Sequence, residues 1–170
     1  LVRLLLRKKK GLEEGEYRSH LLVRTVPPEN TGESLEQAAG DNNQIRVQLI
    51  PVFGVSIPVI ARHGKGSSSI TIKDAKIVNE EGKDKLILRL NRDGLFSTFG
   101  DMEVTLGAGG SDTVVSIIRG IAVYTPNRTR TVTLSVDPKV DVKGKTLHLV
   151  YRNVPEKGGT VIAEADVQIP

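Results

Sequence analysis

The stretch Ile45 to Ala61, IRVQLIPVFGVSIPVIA, decides the reading of this chain. Its odd positions are Ile45, Val47, Leu49, Pro51, Phe53, Val55, Ile57, Val59 and Ala61, and all are apolar. Its even positions include Arg46, Gln48, Gly54, Ser56 and Pro58, with Ile50, Val52 and Ile60 as apolar exceptions. A period of two over that span predicts a β-strand with one buried face. It is longer than an ordinary strand. Pro51 and Pro58 lack the N–H that a ladder uses, so the strand is expected at a sheet edge. A long, apolar, uncovered edge invites aggregation, and a protein that keeps one needs something to pair with it.

Upstream, Glu16 to Val26 (EYRSHLLVRTV) predicts another strand, stopped by Pro27-Pro28. The polar stretch from Glu29 to Gln44 is read as a long loop with a short helical turn at Ser34 to Ala39. Leu1 to Leu6 is read as a strand already under way, in a sequence that opens without Met and is expected to be a fragment. Arg7 to Gly15 is a charged turn. Downstream, Arg62 to Ser69 (RHGKGSSS) is the expected linker. Short strands follow at Ile70–Val78, Lys85–Leu90, Gly100–Leu106, Thr113–Ile118, Ile121–Tyr124, Thr129–Val136, Thr146–Tyr151 and Gly159–Val167, separated by Gly-, Asn- and Pro-containing turns. Their number and rhythm fit an immunoglobulin-like sandwich. The expected fold is all-β, with residues 1–62 forming the later part of an incomplete immunoglobulin-like domain, 63–69 a linker and 70–170 a second such sandwich.

Composition narrows the chemistry. The 170 residues are 38% hydrophobic and 26% charged, which places the chain among globular proteins. With no Cys there is neither a disulfide framework nor a thiolate metal site. A net charge of +4 and three Tyr and three Phe, without Trp, give neither a focused basic face nor a stacking platform, so no nucleic-acid partner is expected. No apolar run is long enough to insert in a bilayer. His20, His63 and His148 lack a second ligand at metal-binding spacing. Ser67-Ser68-Ser69 has no nucleophile motif around it, and the Gly64-Lys65-Gly66 and Gly107-Ala108-Gly109-Gly110 clusters sit between strands, unlike a phosphate loop. Asn127-Arg128-Thr129 fits the glycosylation tripeptide, which is common by chance. No enzymatic site, metal or cofactor is expected.

The order of features carries a family resemblance. Glu16-Tyr17-Arg18-Ser19-His20-Leu21-Leu22-Val23-Arg24-Thr25-Val26-Pro27-Pro28, a polar loop, the alternating strand ending in Ala61-Arg62, a linker and an immunoglobulin-like second domain together resemble the periplasmic chaperones of the chaperone–usher pilus pathway. Ile121 to Thr131 resembles the second-domain segment in which a Pro introduces a strand. The resemblance implies a periplasmic protein of a Gram-negative bacterium. It would cap pilin-type subunits by lending them a strand, with Ile45, Val47, Leu49, Pro51, Phe53, Val55 and Ile57 entering the subunit, and would deliver them to an outer-membrane usher. Arg24 and Arg62 are the expected supporting basic residues, and the exposed strand could also pair two copies. One departure stands out: the Lys expected four residues before the closing Arg is Pro58 here. The competing readings are an immunoglobulin-like adhesin or structural tandem, whose long strand is internal, and a carbohydrate-binding accessory sandwich.

Overall fold

A computed structural model describes residues 2–26, 51–154 and 159–170. Among these the regular elements are all strands, and no helix is long and apolar enough to cross a membrane. They are β1 Gly15–Arg24, β2 Gly54–His63, β3 Ser68–Glu80, β4 Lys83–Gly94, β5 Thr98–Leu106, β6 Val114–Val123, β7 Thr129–Ser135, β8 Thr146–Asn153 and β9 Val161–Gln168. Contacts divide the chain into one unit of residues 1–16 with 62–170 and another of residues 17–61.

In the larger unit, β3, β4 and β7 form one antiparallel sheet in that order, and β6, β5, β8 and β9 form a second. Alternation explains why they enclose one core. In β4 Leu86, Leu88 and Leu90 point inward while Arg89 points to solvent, and in β8 Leu147, Leu149 and Tyr151 do the same. Met102 and Val104 of β5, Val115, Ile121 and Val123 of β6, and Val132 and Leu134 of β7 complete a single apolar cluster drawn from both sheets. This is the architecture of a β-sandwich. The phenol of Tyr151 is buried but donates to the Ile121 carbonyl at 2.8 Å, which spares it an unpaired hydroxyl. Burial pushes that phenol's pKa up.

Backbone chemistry sets the corners. Between β3 and β4, Glu81 and Gly82 both adopt left-handed φ, +53° and +76°, the twist that a two-residue hairpin needs. The Asn79 side chain accepts from the Gly82 amide and donates to Asp84, closing the turn. β3 is an edge strand whose register shifts between Lys73 and Lys76, with Asp74 at φ +54° and ion-paired to Arg89. The edge strands β6 and β9 carry register shifts as well. Such bulges twist an edge away from regular pairing.

Several expectations change. Residues 2–6 are not in a strand; Leu4, Leu5 and Leu6 are exposed, and nothing in the described structure offers that segment a ladder partner. β3 begins at Ser68, inside the expected linker, because Ser68 and Ser69 pair with Gly94 and Asp93 and carry β4 past its expected end at Leu90 to Gly94. The two strands expected at Thr113–Ile118 and Ile121–Tyr124 are one strand, β6. Gly120 at φ +72° absorbs a bulge within it and donates its amide to Asp101, rather than ending it. In the long alternating stretch, strand structure runs from Gly54 to His63, with Pro51, Val52 and Phe53 outside it. Ile45, Val47 and Leu49 and the expected loop from Glu29 to Gln44 lie outside the described residues.

Gly100 offers a direct check on this packing. A Cβ there would lie 2.0 Å from the Arg152 carbonyl of the neighbouring strand. Gly100→Ala is therefore expected to lose about 1–3 kcal/mol of stability in chemical denaturation, by forcing β5 off β8. An unchanged midpoint would contradict the close approach.

Candidate functional site

β1 and β2 pair with each other as a two-stranded sheet, and among the described residues they pair with no other strand. At one end, the Phe53 amide donates to the Thr25 hydroxyl at 3.0 Å and the Thr25 amide donates to the Phe53 carbonyl at 2.8 Å. Next along the ribbon, Gly54 lies against Arg24, the Cβ position of the one 3.7 Å from Cβ of the other. The numbers run in opposite directions, so the strands are antiparallel. Alternation then puts Phe53, Val55 and Ile57 on one face, with Val23 across from Val55.

That face is open. Phe53 is 69% exposed, Val55 61%, Ile57 48% and Val23 53%. The opposite face is mixed, bearing exposed Leu22, Val52 and Ile60 beside Arg24 and Ser56. A two-stranded ribbon has no second layer to cover an apolar face and is marginal in water by itself. Pro58 sits exposed within β2 and, lacking an N–H, interrupts any ladder on its own edge. Thus Phe53, Val55 and Ile57 are brought together on one surface, Pro51 lies just before the strand, and Arg24 is exposed near its end.

Arg62 is engaged within the larger unit. Its Nε donates to Glu16 Oε2 at 3.1 Å, an Nη donates to the Ser97 carbonyl at 2.7 Å, and its guanidinium stacks 5.2 Å from the Phe96 ring centroid. The Glu16 side chain is fully buried. Besides Arg62, its carboxylate accepts from the Ser97 amide at 2.9 Å, from the Ser97 hydroxyl and from the Thr125 hydroxyl at 3.3 Å. Burial would raise the Glu16 pKa, but the hydrogen bonds from Ser97 and Arg62 outweigh it and hold the carboxyl below the ordinary glutamate range. The donor set leaves no lone pair wanting, as a buried charge requires. Sequence reading did not single out Glu16 or Ser97, because a contact between residues so far apart leaves no periodic trace.

The histidines separate. His20 is exposed on β1, and His63 ends β2 half-buried. On β8, His148 Nδ1 meets Asp166 Oδ1 of β9 at 2.7 Å, and the same oxygen accepts from the Gly109 amide at 3.1 Å. These two bonds, that from His148 foremost, lower the Asp166 pKa. Among the described residues no three His, Asp or Glu side chains converge as a metal site would need.

No family model and no curated protein matches the chain. Two solved structures are similar over part of it. One is DesR, a β-glucosidase from Streptomyces venezuelae in complex with D-glucose, at 16% identity and a TM-score of 0.38, with 64% of this chain and 16% of that one covered. The other is a β-glucosidase involved in saponin metabolism from intestinal bacteria, at 13% identity and a TM-score of 0.29, with 75% of this chain and 20% of that one covered. Likeness at this level carries neither fold nor function across.

The Glu16 cluster predicts a pH signature. A carboxyl with a lowered folded pKa contributes stability that is complete above the ordinary glutamate value, roughly 4.3, and is lost as pH falls through the lowered value. Glu16→Gln should cost about 1–3 kcal/mol at neutral pH and should flatten the acid limb of the stability–pH curve. An unaltered limb would show that this carboxyl does not govern it.

Proposed function

We propose that this chain is a non-enzymatic strand-donating chaperone: it holds pilin-type subunits in the periplasm and passes them to an outer-membrane usher. The observation that carries the reading is the row Phe53, Val55 and Ile57, three large apolar side chains standing exposed at alternate positions at the start of β2, in a sheet that has two strands among the described residues. A subunit whose sandwich lacks one strand has the complementary defect, an apolar groove beside an unpaired edge. Strand addition repairs both at once: the ladder supplies affinity and the alternate side chains supply specificity.

The magnitudes favour a donor longer than the described row. Full burial of each large apolar side chain contributes roughly 1.5–3 kcal/mol, so three contribute about 5–9 kcal/mol. Association costs about 4–15 kcal/mol in lost freedom and ordering. Tight holding therefore calls on the ladder bonds and on Ile45, Val47 and Leu49, which continue the same alternation. No cofactor enters this chemistry, and a better-fitting strand is enough to displace the chaperone at the usher.

The sandwich agrees with an immunoglobulin-like second domain. Its seven strands divide three and four between the sheets, and β4–β5, β6–β7 and β7–β8 cross from one sheet to the other. The two-domain organisation, with residues 1–62 as the incomplete member, belongs to the same proposal. With the Lys of the resemblance replaced by Pro58 and Arg62 engaged by Glu16 and Ser97, a subunit's terminal carboxylate would have to be held by other groups.

Co-expression with a pilin-type subunit lacking its own N-terminal strand tests the reading. Wild type should retain the subunit through purification. Phe53→Glu with Ile57→Glu should lower capture at least about tenfold, because two buried carboxylates would face apolar pockets. Equal capture by the double variant would leave the adhesin or tandem-domain reading in its place.

A further inference from the structure

The ribbon holds Phe53, an exposed apolar residue, in an unusual way. In a regular antiparallel pair, a residue exchanges its N–H and C=O with the C=O and N–H of the residue opposite. At Phe53 the exchange is only half main-chain. The Thr25 amide donates to the Phe53 carbonyl at 2.8 Å, but the Phe53 amide donates to the Thr25 hydroxyl at 3.0 Å, not to the Thr25 carbonyl. The same hydroxyl lies 3.4 Å from the Phe53 carbonyl, to which it can donate. One threonine therefore satisfies both backbone groups of Phe53.

Two consequences follow from that substitution. The Phe53 amide does not draw on the Thr25 carbonyl, and Val26, next in the chain, is biased to extended geometry by Pro27. Phe53 stays tethered although it lies outside β2 and its ring is 69% exposed. Without the hydroxyl, the Phe53 amide would turn to water and the ribbon would fray back toward Gly54, taking with it the largest apolar side chain of the open face. A β-branched residue suits the task, since its stiff χ1 keeps the hydroxyl where the amide needs it.

We propose that Thr25 is a positioning residue for partner docking: its hydroxyl fixes Phe53 as the leading side chain of the row Phe53, Val55 and Ile57, and so sets the register in which an added strand engages. This rests on the strand-donation reading and adds to it a residue that need not touch the partner. The effect is preorganisation. A ring held in its docking position loses less freedom on binding than one on a frayed end.

The test is a double-mutant cycle in the full chain, read as affinity for a pilin-type subunit lacking its N-terminal strand. Thr25→Val keeps the shape and the backbone donor but removes the hydroxyl, and should weaken binding about five- to tenfold. Thr25→Ser restores the hydroxyl and should return affinity to within about twofold of wild type. In a Phe53→Ala background, Thr25→Val should cost less than about twofold, because there is no ring left to position. Amide exchange at Phe53 in the unbound chain should speed up in Thr25→Val and not in Thr25→Ser. The same fold-loss in both backgrounds would overturn the positioning role while leaving strand donation intact. A wild-type chain that captures no subunit would overturn strand donation and this proposal with it. Unchanged exchange at Phe53 would overturn the tether itself.

Discussion

Leu86, Leu88 and Leu90 of β4, in one sheet, and Leu147, Leu149 and Tyr151 of β8, in the other, are buried in one apolar cluster, and the larger unit depends on it. A strand has two faces, and an apolar face is stable only under a second layer. In the sandwich each sheet supplies the cover for the other, with hairpin turns, bulges and the Gly100 contact serving to bring the layers into register. The ribbon of β1 and β2 obeys the same alternation, and among the described residues Phe53, Val55 and Ile57 stand exposed on it. Its exposed row is thus the same physics left unfinished, and the proposed function is the completion of that row by another protein's sheet.

How much of this was legible in the sequence follows from the range of each interaction. Alternation is local, so β2 and the sandwich strands could be read from residue order, and the row of Phe53, Val55 and Ile57 stood out at once. Element boundaries depend on partners far along the chain. Leu1 to Leu6 alternates poorly, and its described part, residues 2–6, finds no ladder among the described residues, whereas Ser68 and Ser69 look like linker yet pair with Gly94 and Asp93. Gly120 reads as a turn in isolation, but a left-handed φ serves a bulge as well as it serves a turn, and only the pairing of β6 on β5 distinguishes them.

The Glu16 cluster was invisible for a further reason. A glutamate beside an aromatic in a strand is ordinary, and nothing nearby announces that Ser97 and Thr125 will supply hydroxyls to it. Arg62 was noticed for its place at the end of the apolar stretch and expected to support a partner. In the folded chain its guanidinium is committed to Glu16, the Ser97 carbonyl and the Phe96 ring, so its charge is spent internally. Sequence can suggest that a charge matters without saying which carboxylate it will meet.

The bulged edges of the sandwich bear on growth. β3, β6 and β9 each break register, so those edges are poor templates for another chain, whereas β7, the remaining edge of the sandwich, pairs with β4 without a break. Should two copies meet through β2, each would offer the same edge to the other, and the contact would close on itself about a two-fold axis.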